Sequence, residues 1–125
     1  MEEIREYLDL QGRRATVYLL WRRALAEYQL NGKGDDFVAA IAEVTQELRD
    51  VRLEAQALCE GMSEGQAIAL RIEALEDQHL RDMVQYQQGK VSNLDVSLAA
   101  VCAIEQDISD LMLELQPEGS SYQLD

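Results

Sequence analysis

The 125-residue sequence is poor in residues that break helices and in residues that supply reactive groups. It contains one proline, Pro117, and seven glycines, so long stretches lack a helix breaker. Its single histidine is His79, and its two cysteines, Cys59 and Cys102, stand in no CxxC or Cys/His spacing. These scarcities exclude the usual redox motif and zinc cage and leave most hydrolytic constellations without a base. We therefore expect a protein that is not an enzyme, with no catalytic residue, no metal site and no cofactor.

Long apolar runs are absent as well. The longest covers about seven residues, 98–104, whereas a membrane-spanning helix needs about 20. The sequence opens with Glu2 and Glu3, where a signal peptide has basic residues. We therefore predict an intracellular protein that does not bind membranes. In that setting Cys59 and Cys102 are expected to stay reduced, as small buried or half-buried apolar side chains.

Basic residues are outnumbered by acidic ones, 11 against 24, and the formal net charge is -13. A field of that sign repels phosphate backbones, so no direct binding to nucleic acid is expected. The charge is unevenly spread. Residues 1–34 hold six basic and five acidic side chains, whereas residues 35–125 hold five basic and nineteen acidic ones. The first segment is thus the nearly neutral part of an acidic chain.

Apolar residues recur at helical spacing in four segments, which predicts four helices. The first helix runs from about residue 2 to residue 30 and can bend at Gly12. The second has the most regular pattern, in which eight apolar residues alternate spacings of four and three. This seam comprises Phe37, Ile41, Val44, Leu48, Val51, Ala55, Leu58 and Met62. The third stripe comprises Ile68, Ile72, Leu75, His79, Met83 and Tyr86, and the fourth comprises Leu94, Leu98, Val101, Ile104, Ile108, Leu111 and Leu115.

Residues that cap or break helices predict where the second helix begins and ends. Residues 31–34 supply two glycines for a turn, and Asp35 or Asp36 then serves as N-cap of the second helix. Gly61 is expected to end that helix.

The third and fourth helices are each preceded by a capping-box pattern. Residues 63–66 and 92–95 match it, so one helix is expected to begin at each. Gly89 is expected to stop the third helix, and Pro117 cannot continue the fourth.

Short connections between helices with one apolar face each favour antiparallel neighbours. The sequence therefore predicts an all-α protein, an antiparallel up-down four-helix bundle. The alternative is an elongated helical hairpin that forms a homodimer through the heptad seam of the second helix. Residues 1–116 form a single helical domain in this prediction, and residues 117–125 form a polar, disordered C-terminal tail.

The arginines of the first helix allow two interpretations. Arg13, Arg14, Arg22 and Arg23 can pair with carboxylates of neighbouring helices. Alternatively, Trp21, Arg22 and Arg23 form a partner-binding face, because tryptophan and arginine are enriched at binding hot spots.

Glu76 and His79 form an E-x-x-H pair, the spacing that di-iron four-helix bundles use. Such sites need two pairs and two further glutamates, which one histidine cannot provide in a monomer. The plainer expectation is that His79 lies at the edge of the core and bonds to Glu76 or Asp82.

Several segments in a fixed order resemble a known family. Residues 4–6 open the first helix, Phe37 begins the second, and residues 43–46 lie within it. Residues 75–76 and Leu80 follow in the third. In these segments the chain resembles the B-type family of DNA-repair proteins named "required for excision", a group of small eukaryotic helical proteins.

The resemblance spans roughly residues 4–115 and implies a role in excision repair of damaged DNA in the nucleus, with cytoplasmic location expected otherwise. The family supplies no catalytic residues to carry over. We expect an acidic helical adaptor whose partner is a repair factor with a basic surface. Glu43 and Gln46, polar and outward in the shared segment, are predicted partner contacts together with the Trp21 face. The alternative is a structural coiled-coil component of a cytoskeletal or ciliary assembly.

Overall fold

The structure is a computed structural model, and it describes residues 2–116. Four α-helices follow one another: α1 (Glu2–Asn31), α2 (Gly34–Gly61), α3 (Gln66–Val91) and α4 (Ala99–Leu115). Within this range there is no β-strand. The predicted all-α fold with four helices is confirmed. The predicted disordered tail, residues 117–125, lies outside the described residues.

Contacts between side chains show how the first three helices run. Arg13 of α1 binds Glu47 of α2, and Tyr28 near the end of α1 stacks on Phe37 near the start of α2. These two helices are therefore antiparallel, joined by a loop of two residues. The α1 and α3 helices are parallel, because Tyr7 contacts the start of α3 and Trp21 contacts its end. This is the order that an up-down bundle requires.

The N-cap predicted for α2 is wrong. Its N-cap residue is Lys33, without a side-chain hydrogen bond, and Asp35 and Asp36 lie inside the first turn. Gly32 adopts a left-handed φ of 67° that closes the loop, and the Asn31 side chain accepts a hydrogen bond from the Lys33 amide at 2.8 Å. The two aspartates favour the helix start through the helix dipole instead of through capping. The predicted end of α2 at Gly61 is confirmed.

The capping box predicted at residues 63–66 is also wrong. Helix α3 has Gly65 as its N-cap, with a φ of 78° and no side-chain cap. Glycine fits this left-handed conformation, and a Cβ here would collide with the Leu115 side chain. The Gln66 side-chain amide donates instead to the carbonyl oxygen of Cys59, at 2.8 Å. Gln66 thereby ties the start of α3 to the end of α2.

Gly89 does not stop α3 as predicted, because the helix continues to Val91. Gly89 is buried, and a Cβ at this position would clash with the side chain of Val96 in the following loop. The glycine therefore lets the loop pack closely on the last turn of α3.

The start predicted for α4 is five residues too early. Residues 92–98 form a loop in which Asn93 has a left-handed φ of 59°, and α4 begins at Ala99. Ser97 accepts a hydrogen bond from the Ala99 amide through its hydroxyl oxygen, at 3.0 Å. The capping box at residues 92–95 is therefore not used. The predicted end of α4 before Pro117 is confirmed.

The core consists of two apolar clusters separated by buried polar residues. The lower cluster is mainly aliphatic and draws on all four helices: Ile4, Tyr7, Leu8, Ala55, Cys59, Met62, Ala69, Ile72, Ile104, Ile108, Leu111 and Leu115. The upper cluster comprises Val17, Tyr18, Trp21, Val44, Met83 and Val101. Between them along α1 and α3 lies the polar layer, formed by Gln11, Arg14, Glu76 and His79.

The α2 seam packs inside its own chain. Its residues Val44, Val51, Ala55 and Met62 are buried, while the other four are half-buried. This packing favours the bundle over the hairpin alternative, whereas a homodimer through another face stays a prediction.

The two cysteines differ, and the prediction for one of them is wrong. Cys59 is buried, Cys102 is exposed, and both are free thiols. None of the helices between residues 2 and 116 is both long and apolar enough to span a membrane.

Candidate functional site: the polar layer and the grooves around helix α1

Arg14 is the centre of the polar layer. Only 4% of the residue is exposed. Its Nη2 donates to the Glu73 carboxylate at 3.1 Å, and its Nη1 lies 3.8 Å from Glu76. Burial lowers the pKa of Arg14, but the negative charges of Glu76 and Glu73 outweigh burial and raise it. The buried guanidinium therefore keeps its charge while its two carboxylate partners are present.

Two more side chains of α1, Gln11 of the polar layer and Tyr7 of the lower cluster, bind the same carboxylates as Arg14. Gln11 donates through Nε2 to Glu76 at 2.8 Å, but its Oε1 is buried without a hydrogen-bond partner among the described residues. The Tyr7 hydroxyl donates to Glu73. Burial, with the nearby Glu73 charge, raises the pKa of Tyr7 far above its usual value of 10.0. Tyr7 thus remains a neutral donor in the folded protein.

His79 connects three helices within the layer. Its Nδ1 lies 3.2 Å from Glu76 and its Nε2 lies 3.0 Å from Glu105 of α4. The ring stacks on Tyr18 of α1 with a centroid distance of 3.8 Å. Of the two partners predicted for His79, Glu76 is the one the structure shows, while Asp82 accepts from Gln78 instead. Burial, followed by the charge of Glu76, raises the pKa of Tyr18.

The side chains of the E-x-x-H pair, Glu76 and His79, already make hydrogen bonds with other side chains of the protein. Glu76 accepts from Gln11, and His79 lies between Glu76 and Glu105. Over residues 2–116 no three His, Cys, Asp or Glu side chains are placed together to hold a metal ion. Ion pairs and hydrogen bonds within the layer connect α1 to α3 and α3 to α4.

Trp21 does not lie on the surface that the sequence predicts for it. Only 4% of the residue is exposed, and its ring is part of the upper cluster. Its indole N–H donates to Gln87 of α3. Arg22, the next predicted contact, is half-buried and bound to Glu105 of α4. Trp21 therefore packs in the core, and Arg22 binds a neighbouring helix instead of facing a partner. The prediction that Arg13, Arg14 and Arg22 pair with carboxylates of neighbouring helices is confirmed.

Two of the predicted contacts come together at the surface. Arg23 of α1 and Glu43 of α2 line one groove of about 300 Å³, named here the α1/α2 groove. Its apolar lining includes Leu20, which is half exposed. Gln46 is exposed and donates to Asp50 at 2.9 Å, and it does not line the groove. Arg23 and Glu43 thus line the same groove, whereas Trp21 lies in the core.

A second depression of about 590 Å³ continues the same face toward the lower cluster. Its apolar lining includes Leu10, Ala57 and Leu58. Arg13 bridges α1 to α2 between the two depressions through Glu47 and Glu54, at 2.7 and 3.0 Å. Hydrogen bonds to these two carboxylates raise the pKa of Arg13.

A third depression, the α1/α4 cleft, has a volume of about 340 Å³ and lies on the other side of α1. Leu19 of α1 and Met112 of α4 form its apolar walls. Its floor includes Gln11 and His79 of the polar layer. The cleft therefore combines an apolar mouth with a polar base.

The sequence analysis did not predict the burial of Arg14 or the role of Glu105. A signal for Arg14 exists, since Tyr7, Arg14 and Trp21 recur every seven residues and share one helix face. A signal for Glu105 exists as well, since it lies four residues after Val101 and three before Ile108, on the face that the fourth apolar stripe buries.

Comparison with known proteins gives a match at the level of family. A family model described as DNA repair REX1-B matches residues 2–90. The match covers α1, α2 and nearly all of α3, and so includes the whole α1/α2 groove. Comparisons with curated proteins and with solved structures found no match.

Proposed function

Since the chain belongs to the DNA repair REX1-B family, we propose that it acts in excision repair as a non-catalytic adaptor that binds other proteins. The family description supports a role in DNA repair. The adaptor mechanism, the excision pathway and a nuclear location are our proposal. The α1/α2 groove is the surface through which a repair factor would bind.

One observation carries the proposal: the groove has an apolar floor and a rim of mostly negative charge. Leu20, Ala24 and Ala40 lie among its apolar residues. Such a floor supplies affinity when a partner side chain excludes water from it. The charged lining residues are Arg23, Glu27, Glu43 and Glu47. Because Glu47 is paired with Arg13, Glu27 and Glu43 are the acids that remain beside Arg23, and this excess of negative charge favours a partner surface that is mainly basic.

The same charge disfavours DNA as the direct ligand of the groove. The protein has a formal net charge of -13, and phosphate binding requires clustered lysine and arginine side chains. The adaptor would therefore reach damaged DNA through its protein partner. The structural coiled-coil alternative loses support, because Val44, Val51 and Ala55 of the seam are buried within the chain.

Affinity capture from nuclear extract with the full chain tests the proposal. Leu20→Asp and Glu43→Lys should each reduce the recovery of repair proteins about tenfold, the effect of losing about 1.4 kcal/mol of binding. The matched controls are Leu70→Asp and Glu64→Lys, at exposed positions outside the groove. Controls should change recovery less than about twofold. Equal recovery with the groove variants, or tight binding of the purified protein to damaged duplex at low salt, would contradict the proposal.

A survival assay extends the test to cells. In cells that lack the protein, the wild-type chain should restore survival after DNA damage, and Leu70→Asp should do so equally. Leu20→Asp should fail while accumulating to the same level. Full rescue by Leu20→Asp would remove the groove from the repair role.

A further inference from the structure

Two depressions lie end to end along the face that α1 and α2 share. The α1/α2 groove follows α1 from Val17 to Glu27. The larger depression, of about 590 Å³, follows α1 from Glu6 to Arg13 and is named here the lower depression. One side of α1 runs through both, because four lining residues recur at intervals of seven: Glu6, Arg13, Leu20 and Glu27. The interval from Glu6 to Glu27 corresponds to about 31 Å of helix.

The walls of both depressions combine apolar side chains with alanines. Leu10 is half-buried in the lower depression, and Leu20 is half exposed in the α1/α2 groove. Alanines lie beside them, Ala57 in the lower depression and Ala24 and Ala40 in the groove. The distance between packed helices depends on the side chains at their contact, so these alanines allow a further helix to approach closely.

The two ends of this face hold carboxylates that no other group binds. Glu6 and Asp9 line the lower end, and Glu27 and Glu43 line the upper end. All four are exposed, and none makes a side-chain hydrogen bond or an ion pair with another described residue. Arg23 is the one base beside the upper pair. Each end therefore has an excess of negative charge that a basic side chain complements.

The centre of the face differs from its ends, because its carboxylates are already bound. Arg13 crosses from α1 to α2 and pairs with Glu47 and Glu54, at 2.7 and 3.0 Å. A lysine of a ligand at this point would meet the Arg13 cation and two carboxylates that already have a partner. The face thus favours positive charge at its two ends and not at its centre.

We propose that one amphipathic helix of a protein partner lies along both depressions, with lysine or arginine near each end and none at its centre. The repeat of seven along α1 is the repeat at which helices pack side by side, so a bound helix keeps one row of side chains on the whole face. Its apolar side chains contact Leu10 and Leu20, and its length is about 21 residues. The inference rests on the proposed function for the premise that a protein binds the α1/α2 groove, and it adds the length, form and charge order of the bound segment.

A display library of helical peptides, about 21 residues long, tests the proposal. Apolar positions at heptad spacing vary among alanine, leucine, methionine and phenylalanine, and the charged positions at both ends and at the centre are randomised between Lys and Glu. Selection uses the full chain. Counter-selection against Ala57→Arg, which places a long side chain in the lower depression, removes peptides that bind the α1/α2 groove alone. We expect Lys to exceed Glu about fivefold at both ends and not at the centre.

Titration of an enriched peptide shows whether both depressions are used. Ala57→Arg and Leu20→Asp, one in each depression, should each weaken binding by about tenfold or more. The matched control is Ala103→Arg, at an exposed alanine of α4, which should change the affinity by less than about twofold. All three variants should keep the wild-type circular dichroism spectrum.

A charge exchange tests the pairing at the lower end. Glu6→Lys should weaken binding of the enriched peptide by about threefold or more, since it replaces attraction by repulsion. A peptide with Glu in place of Lys at one of its ends should recover that loss, and the end that does so gives the direction of the bound helix. Recovery by neither end would contradict the charge order.

The proposal would be overturned by equal numbers of Lys and Glu at the ends, by no enrichment over the counter-selection, or by peptides that only one of Ala57→Arg and Leu20→Asp weakens. Capture from nuclear extract separates this failure from that of the proposed function. If Leu20→Asp reduces the recovery of repair proteins and Ala57→Arg does not, the groove keeps its proposed function and the long helix is wrong. If neither variant reduces recovery, the proposed function fails as well. A dimer that Ala57→Arg dissociates, measured by light scattering, would assign the face to a second copy of this chain.

Discussion

The lower and upper halves of the bundle are held together differently. The lower cluster contains aliphatic side chains from every helix, twelve buried residues in all. The upper cluster has six, and Tyr18 and Trp21 are its largest members. Above the polar layer, ion pairs such as Arg22 with Glu105 supplement apolar packing. The α1/α2 groove, with Leu20 and Arg23, lies at this upper half. The half with less apolar packing is thus the half that contains the groove proposed to bind a partner, while the larger depression beside Leu10 and Leu58 lies at the lower half.

The polar layer stands between the two halves and differs from both. Its groups stabilise the fold only as a set, because a buried charge without its partner is strongly unfavourable. It also lets α1 pack on α3 in only one register, since Gln11 and Arg14 must meet Glu76 and Glu73.

Arg14→Met should be the most destabilising single change, because it leaves Glu73 and Glu76 without their buried cation. We expect a loss of about 3–5 kcal/mol in the free energy of unfolding, measured by urea denaturation. Arg13→Met is the matched control, since Arg13 makes exposed ion pairs. It should cost at most about 1 kcal/mol. Similar losses in the two variants would show that the layer is no more important than the surface.

Ile72→Ala, in the lower cluster, should lower the free energy of unfolding more than Val44→Ala, in the upper cluster. Ile72 is fully buried in the lower cluster, and truncation of such a side chain costs about 2–5 kcal/mol. Val44→Ala in the upper cluster removes fewer carbons, and at about 0.8 kcal/mol per methylene we expect a loss of about 1–2 kcal/mol. Thermal unfolding of both variants measures the difference. A larger loss for Val44→Ala would reverse the ranking of the two halves.

High pH should weaken both halves through their buried tyrosines. Burial raises the pKa of Tyr7 and Tyr18 above 10.0, and burial raises the pKa of the Cys59 thiol from 9.0 to about 11. Only the unfolded chain then ionises as pH rises, so stability is intact below about pH 9 and falls above it, by up to about 1.4 kcal/mol per pH unit and group. Urea midpoints from pH 8 to pH 11 should show this decrease. Tyr18→Phe should flatten the curve, and an unchanged slope would contradict the assignment.

The two cysteines should differ in reactivity with no effect on stability. Cys102 is exposed on α4, whereas Cys59 is buried in the lower cluster with a raised pKa. A thiol reagent at pH 8 should label Cys102 rapidly and Cys59 only after unfolding, because the thiolate is the reactive form. Cys102→Ser should remove the fast phase. Rapid labelling of two thiols in the native protein would mean that the lower cluster opens readily.

Much of the fold follows from periodicity, while the helix starts do not. The stripes in α2 and α3 predicted the elements because each buries one apolar face. The predicted caps at Asp35, Ser63 and Ser92 are wrong. At α2 and α3 a backbone turn with a left-handed glycine, Gly32 or Gly65, forms the helix start without a side-chain cap. At α4 the loop continues past Asn93, and the Ser97 hydroxyl accepts from the Ala99 amide.

The candidate site could be predicted less well than the fold. Arg23 and Glu43 are far apart in sequence, and only the antiparallel packing of α1 and α2 brings them to one groove. Arg14 resembles a surface arginine by residue type, but its position on the same face as Tyr7 buries it. Composition alone cannot distinguish a paired buried charge from a solvated one, because the difference lies in the carboxylates supplied by α3.

Gly65 marks the pole where the start of α1 and the end of α4 meet, since a Cβ there would lie 2.6 Å from Leu115 and 3.6 Å from Ile4. Tension applied between residues 2 and 116 would therefore act across neighbouring points at one pole and not along the bundle axis. Helix α4 would detach from α3 one turn at a time. The force needed to unfold the protein would therefore be lower than for a bundle whose helices are pulled along their axes in opposite directions.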